Sequence, residues 1–194
     1  MTDTDHQILF PRDLIATEVR RLGTEISRDY AGEEVMLVGV LKGSFLFIAD
    51  LIRAISIPSV VDFVRLASYG SETSSSGIIE FRKDLEMSIR DRNVIIVEDI
   101  VDSGYTLECL YNKLLIREPR SLKICTLIDK RGRREVDIEA DYVGITMDDG
   151  FIIGYGLDHN ELYRNLPDIH LVEENPNNGI IDGKQHPSFA GGNQ

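Results

Sequence analysis

At 194 residues and 42% hydrophobic composition, the chain is long enough to bury one sizeable core, and its composition is ordinary for a globular protein. Its 33 acidic against 21 basic side chains give a net charge of −12, which argues against nucleic acid as a partner, since that affinity depends on neutralising phosphates with Lys and Arg. The start is polar and acidic and no apolar run reaches the length of a membrane span, so a cytoplasmic protein with no membrane partner is expected, its two cysteines, Cys109 and Cys125, reduced in the core.

Ile15, Val19, Leu22, Ile26 and Tyr30 recur at helical spacing and predict a helix over 12–30, ended by Ala31-Gly32. Residues 35–40 read as a buried strand, 44–54 as the helix after it, and 59–67 as a second strand. Gly70 to Gly77 is a polar run of small residues that reads as a loop. Strands follow at 78–85 and 94–97, a helix at 105–116, and further strands at 122–128 and 141–146. Strands alternating with helices predict an α/β fold with a largely parallel sheet and helices on both faces. From Glu174 onward Asn, Gly, Pro and Gln dominate, so residues 1–173 are read as the folded domain and 174–194 as a polar, flexible tail. The four histidines show no metal-ligand spacing.

The most informative stretch runs Val94-Ile95-Ile96-Val97-Glu98-Asp99-Ile100-Val101-Asp102-Ser103-Gly104-Tyr105-Thr106-Leu107. It reads as a buried strand closed by two carboxylates, then a small-residue turn, then a helix start. The first N–H groups of a helix have no intrahelical acceptor and carry the positive end of its dipole, so they suit an anion. Gly104 permits close approach or positive φ, and Ser103 and Thr106 add hydroxyl donors. By pattern alone, the turn is equally well an ordinary one capped by Ser103 or Thr106. Glu98 and Asp99 change the balance: at a strand's carboxyl end they stand where open α/β sheets bind ligands, and unpaired they repel. A phosphorylated sugar held with a divalent metal satisfies both features.

This stretch resembles the phosphoribosyl pyrophosphate (PRPP) motif of the type I phosphoribosyltransferases, and its Glu-Asp-x-x-Asp-Ser-Gly form resembles their hypoxanthine-guanine branch. Val40-Leu41-Lys42-Gly43-Ser44-Phe45 resembles the family's pyrophosphate loop, and Ser68-Tyr69-Gly70 the start of its mobile active-site loop. Leu127-Ile128-Asp129-Lys130-Arg131 is similar to its purine-contacting strand end. Phe151 to Asp158, continuing to Tyr163-Arg164-Asn165-Leu166-Pro167, is similar to its base-binding segment. The blocks fall in family order over roughly residues 8 to 173. The resemblance implies the type I phosphoribosyltransferase fold, a twisted, largely parallel sheet with a small hood and a mobile loop.

It also implies a division of labour. Glu98 and Asp99 would hold the ribose hydroxyls and Mg²⁺, and Asp102 would take a proton from the purine as the catalytic base. Ser103, Gly104, Tyr105 and Thr106 would cradle the 5′-phosphate, with Tyr105 leaving most of that contact to backbone amides. Lys42, Gly43 and Arg164 would meet pyrophosphate, and the Leu41-Lys42 peptide is commonly cis in this family. Lys130 would donate to the purine O6, Phe151 would stack on the base with Ile152 offering backbone contacts, and Asp158 would meet a second Mg²⁺. Read by pattern alone, Lys42 is a surface lysine, Lys130 belongs to a basic run on a solvated turn, and Phe151 is core. The implied reaction is Mg²⁺-dependent purine salvage, from PRPP and a 6-oxopurine to IMP or GMP and pyrophosphate, in a homodimer or homotetramer. A PRPP-binding regulator of the same fold and an enzyme with xanthine preference are the alternatives.

Overall fold

The computed structural model describes residues 6–69 and 78–172. In chain order the elements are β1 (His6–Phe10), α1 (Arg12–Asp29), β2 (Val35–Leu41), α2 (Phe45–Ala54), β3 (Ser59–Tyr69), β4 (Ile78–Lys83), β5 (Asn93–Val101), α3 (Tyr105–Leu115), β6 (Ser121–Lys130), β7 (Tyr142–Met147), β8 (Phe151–Ile153) and β9 (Ile169–Val172). The main sheet has the order β4-β3-β2-β5-β6-β7. Its neighbours are parallel except at the β3–β4 edge.

The helices cover both faces, as the alternating pattern predicts. Ile15, Val19, Leu22 and Ile26 of α1 and Phe47, Ile48 and Leu51 of α2 pack with Leu37, Ile95 and Val97 on one side. Leu107, Leu110 and Leu114 of α3 pack with Val38, Val94 and Ile96 on the other. Side chains alternate across a strand, so apolar runs such as Val94–Val97 serve both layers and carry no polar face. Cys125 is buried in the first core, where burial pushes its thiol up; Cys109 is partly buried, and both are free.

Two expectations need correction. The strand read as 94–97 continues to Val101, so Glu98 and Asp99 lie inside β5 and do not close it. The cause is β6, which runs to Lys130 and keeps the ladder going: Glu98 faces Thr126, Ile100 faces Ile128 and Val101 faces Asp129. The second concerns the hood. It is a three-stranded antiparallel sheet, β1-β9-β8, from segments the periodicity did not mark as strands. These strands are 3–5 residues long, and β1 pairs with β9 across most of the chain (His6 with Val172). Pairing at that distance leaves little local signal.

Aligned starts at Val35, Ser59, Asn93 and Ser121 put the carboxyl ends of β2, β5 and β6 on one edge, the place where open α/β sheets bind ligands. The mobile loop expected after Ser68 and Tyr69 and the tail expected from 174 lie outside the described residues; β3 itself runs through Ser68 to Tyr69. Among the described residues no helix is long and apolar enough to cross a membrane.

Candidate active site

The acidic pair sits at the centre of that edge. Asp99 is 7% exposed. Burial pushes its carboxyl up, against hydrogen bonds from Glu98 and from the Asp99 and Ile100 N–H groups that favour the charge. Burial pushes Glu98 well above the ordinary glutamate range, and the adjacent Asp99 charge adds to the shift. Two carboxylates that resist ionising together fit a site meant to receive a cation or sugar hydroxyls. No three Asp, Glu, His or Cys side chains cluster around a metal position among the described residues. Glu98 and Asp99 are an oxygen donor pair of the kind with which proteins hold Mg²⁺, an ion that takes one or two carboxylates and fills its octahedron with water and substrate oxygens.

The loop after β2 closes over this pair through glycine. A β-carbon on Gly43 would lie 1.9 Å from Asp99 Oδ2, so no other residue lets the loop rest on the carboxylate. The Leu41–Lys42 peptide is cis. Ser44 turns back to donate to the Val40 carbonyl at 2.6 Å.

The start of α3 differs from an ordinary capped helix. Gly104 occupies the N-cap position with φ +91°, and no side chain caps the helix there. The reading of Ser103 or Thr106 as caps therefore fails, and the first amides remain directed outward. Tyr105 is half exposed, and the charge of Glu135, with a hydrogen bond, raises its hydroxyl above the usual range. Thr106 is exposed and Ser103 half-buried.

A residue that the sequence hid holds this turn in place. Arg134 donates to the carbonyls of Asp102 (3.0 Å), Val101 (3.3 Å) and Ile138 (2.5 Å) and pairs with Asp129 at 2.5 Å. Glu135 N–H donates to the Ser103 carbonyl at 3.0 Å. In the sequence Arg134 is one more member of a basic run; the signal available was Asp129 five residues earlier, at the end of an apolar strand. Breaking a largely buried pair strands the remaining charge, at a cost of about 3–5 kcal/mol. Arg131 also reaches Asp129, at 2.8 Å, and softens the loss. Arg134→Met is therefore expected to destabilise by about 3 kcal/mol, read as a lower urea midpoint. A loss below about 1 kcal/mol, the worth of an exposed pair, would show the clamp idle.

Asp102 and Lys130 meet beside the turn. Lys130 ends β6 at 4% exposure, so the solvated-turn reading fails for it. Its Nζ lies 3.2 Å from Asp149 Oδ1 and 3.7 Å from Asp102 Oδ2, which is 3.5 Å from Arg133. The other Asp102 oxygen, Oδ1, is buried with no hydrogen-bond partner among the described residues. A buried acceptor left unpaired is costly, which marks it as a position awaiting a donor.

The hood supplies the remaining candidates. Phe151 is not core, as pattern alone had it, but 41% exposed, its ring edge-on to His159 at 5.2 Å. Phe151 is the exposed first residue of β8, and Ile152 and Ile153 after it are both buried, at 5% and 1% exposure. Arg164 pairs with Asp158 at 2.8 Å and donates to the Gly156 carbonyl at 2.8 Å, while its Nε is buried and unpartnered among the described residues. Asp158 thus stands against Arg164 and the Glu161 N–H, and the Arg164 charge also favours ionised Asp99. Lys42 is exposed and pairs at 2.7 Å with Glu161, a residue the sequence did not single out.

Residues 8–160 match the family model of the phosphoribosyl transferase domain, and the chain is an enzyme of that class. Hypoxanthine phosphoribosyltransferase of Salmonella typhimurium is 45% identical over 86% of this chain and 94% of its own. Hypoxanthine-guanine phosphoribosyltransferase of Aquifex aeolicus is 43% identical over 87% and 95%. The crystal structure of a hypoxanthine-guanine phosphoribosyltransferase from Bacillus anthracis superposes with a TM-score of 0.83 at 46% identity, covering 86% of this chain and 98% of that one. The chain belongs to the hypoxanthine(-guanine) phosphoribosyltransferase family.

Proposed function

We propose that the chain catalyses purine salvage: transfer of the 5-phosphoribosyl group of PRPP to N9 of hypoxanthine or guanine, giving IMP or GMP and pyrophosphate. The observation that carries this reading is that Asp102, whose buried Oδ1 has no partner among the described residues, stands beside the buried ammonium of Lys130, 3.7 Å from its Oδ2. One side takes a proton from a heterocycle and the other donates to its carbonyl oxygen, which is what a 6-oxopurine offers.

The bond from C1′ to the pyrophosphate oxygen breaks as the C1′–N9 bond forms. Asp102 accepts the N7 proton, so the ring does not carry positive charge into the nucleotide. Lys130 holds O6, Phe151 stacks on the base, and the Ile152 backbone lies beside it. The α3 amides from Tyr105 onward, with Ser103, Gly104 and Thr106, take the 5′-phosphate. Glu98 and Asp99 hold the ribose hydroxyls, and Lys42, Gly43 and Arg164 take pyrophosphate, Arg164 through its fork of donors. Glu98 and Asp99, with Asp158 as a second position, would hold Mg²⁺, which would supply positive charge against the leaving pyrophosphate. Ser68 and Tyr69 begin the loop that would cover the site. The setting is cytoplasmic, the assembly a homodimer or homotetramer, and nucleic acid and membrane are not partners.

The test is direct. The protein is incubated with PRPP and Mg²⁺ and, in turn, hypoxanthine, guanine, xanthine and adenine, and nucleotide is measured with and without excess EDTA. IMP and GMP should form, adenine should be poorly used, and chelation should abolish turnover. PRPP binding with no nucleotide from any 6-oxopurine would favour a regulator and overturn the assignment.

A further inference from the structure

The two cations assigned to pyrophosphate already hold an anion. Glu161 Oε2 lies 2.7 Å from Lys42 Nζ and 3.3 Å from the Arg164 guanidinium, so one carboxylate oxygen bridges the loop after β2 and the hood segment. Asp158 fixes this arrangement from behind, accepting the Glu161 N–H at 2.8 Å while pairing with Arg164.

The backbone that presents Glu161 is a poor place for a side chain. His159 and Leu162 exchange both backbone hydrogen bonds, at 3.2 and 3.0 Å, around Asn160 and Glu161, whose φ values are +51° and +66°. That is a type I′ turn, whose second central position favours glycine. A larger residue there strains the chain, and such strain persists where it serves a site. Packing does not account for it either: the Glu161 side chain is 61% exposed, and its ion pairs are with Lys42 and Arg164.

We propose that Glu161 is a resident anion of the pyrophosphate subsite, holding Lys42 and Arg164 aimed at one point and competing with pyrophosphate for both. The proposal rests on the assignment of those two cations to pyrophosphate. Pyrophosphate, or the pyrophosphoryl arm of PRPP, carries more charge and more acceptor oxygens than one carboxylate and displaces it. When pyrophosphate departs, Glu161 takes its place, so release does not leave Lys42 unpaired beside Arg164, which Asp158 continues to hold. Tight product retention is thereby traded for turnover.

Calorimetric titration of the full chain with inorganic pyrophosphate and Mg²⁺ tests this in the parent protein, Glu161→Gln, Glu161→Gly and Lys42→Met. Glu161→Gln keeps size and removes charge, and should tighten pyrophosphate about three- to tenfold, the span of one to two exposed ion pairs. Product inhibition should strengthen by the same factor, with KM for the purine unmoved. Glu161→Gly, which also relieves the turn, should tighten binding at least as much. Lys42→Met should weaken binding and shrink the gain from Glu161→Gln in the double variant. Weakening by Lys42→Met without tightening by Glu161→Gln overturns the proposal. Tightening by Glu161→Gly alone assigns the effect to the turn and also overturns it. No weakening by Lys42→Met overturns the pyrophosphate assignment beneath it.

Discussion

Asp102→Asn is expected to slow the chemical step about 10²–10⁴-fold, the usual contribution of a placed general base, which corresponds to about 3–5 kcal/mol of barrier. The substitution is close to isosteric, and the surroundings are built to keep the loop in place. The Asp102 carbonyl is held by Arg134 at 3.0 Å, and the neighbouring Ser103 carbonyl by the Glu135 N–H at 3.0 Å, so neither bond depends on the carboxylate. Lys130 keeps Asp149 as a partner at 3.2 Å. The turn at 103–106, proposed to hold the 5′-phosphate, and the acidic pair are untouched, and PRPP affinity should stay within about threefold, less than the worth of one charged hydrogen bond. An amide presents an acceptor or a donor but cannot take the N7 proton, so the loss should fall on kcat. Single-turnover rates with preformed enzyme–PRPP complex measure that step, and equilibrium PRPP binding supplies the control. An unchanged single-turnover rate would remove Asp102 from the chemistry. A parallel loss of PRPP affinity would instead make it a structural element of the loop.

The sequence was most legible where one residue's environment is set by its near neighbours. The run Val94–Val97, the stripe Ile15-Val19-Leu22-Ile26 and the alternation of strand and helix all express local periodicity, and the doubly covered parallel sheet follows from them. Motif blocks each span one strand end and its loop, which is why Glu98 and Asp99, the turn at 102–106 and Lys130 could be located along the chain before their surroundings were known. What stayed hidden depends on partners far along the chain. Extension of β5 through Glu98 and Asp99 needs β6 beside it, and charged residues in a strand run against local preference. Lys130 and Arg134 look alike in a basic run; burial against Asp102 and Asp149 in one case, and against Asp129 and three carbonyls in the other, separates them from exposed Arg131 and Arg133. Glu161 is invisible for the same reason, since Lys42 lies 119 residues away. Phe151 was misjudged because a strand of three residues is too short to reveal which face an aromatic takes.

Lys130→Ala should weaken purine use by one to two orders of magnitude, since a hydrogen bond from a charged donor is worth about 1.5–3 kcal/mol. Burial makes this larger than a surface lysine would justify: at 4% exposure, the ammonium would meet the proposed purine oxygen with little water to screen it. The fold should tolerate the loss. Asp149 is largely exposed and returns to solvent, and Asp102 retains Arg133 at 3.5 Å. Lys130→Met keeps most of the buried stem and isolates the charge, so it should match Lys130→Ala in kinetics while unfolding closer to the parent protein. The effect should appear in kcat/KM for hypoxanthine and guanine and leave KM for PRPP unchanged, because the proposed role puts the residue on the base side of the reacting carbon. Selectivity gives the sharper reading. A fixed ammonium meets an acceptor in a 6-oxopurine but a donor in adenine, and an unpaired donor facing a donor is where hydrogen-bonding sites discriminate most. Removing it costs the good substrate and relieves the poor one, so the preference for hypoxanthine over adenine should fall by more than either rate alone. Purine kinetics unchanged in both variants would move O6 recognition elsewhere. Equal loss with hypoxanthine and adenine would make Lys130 a partner of Asp102 and not a reader of the base.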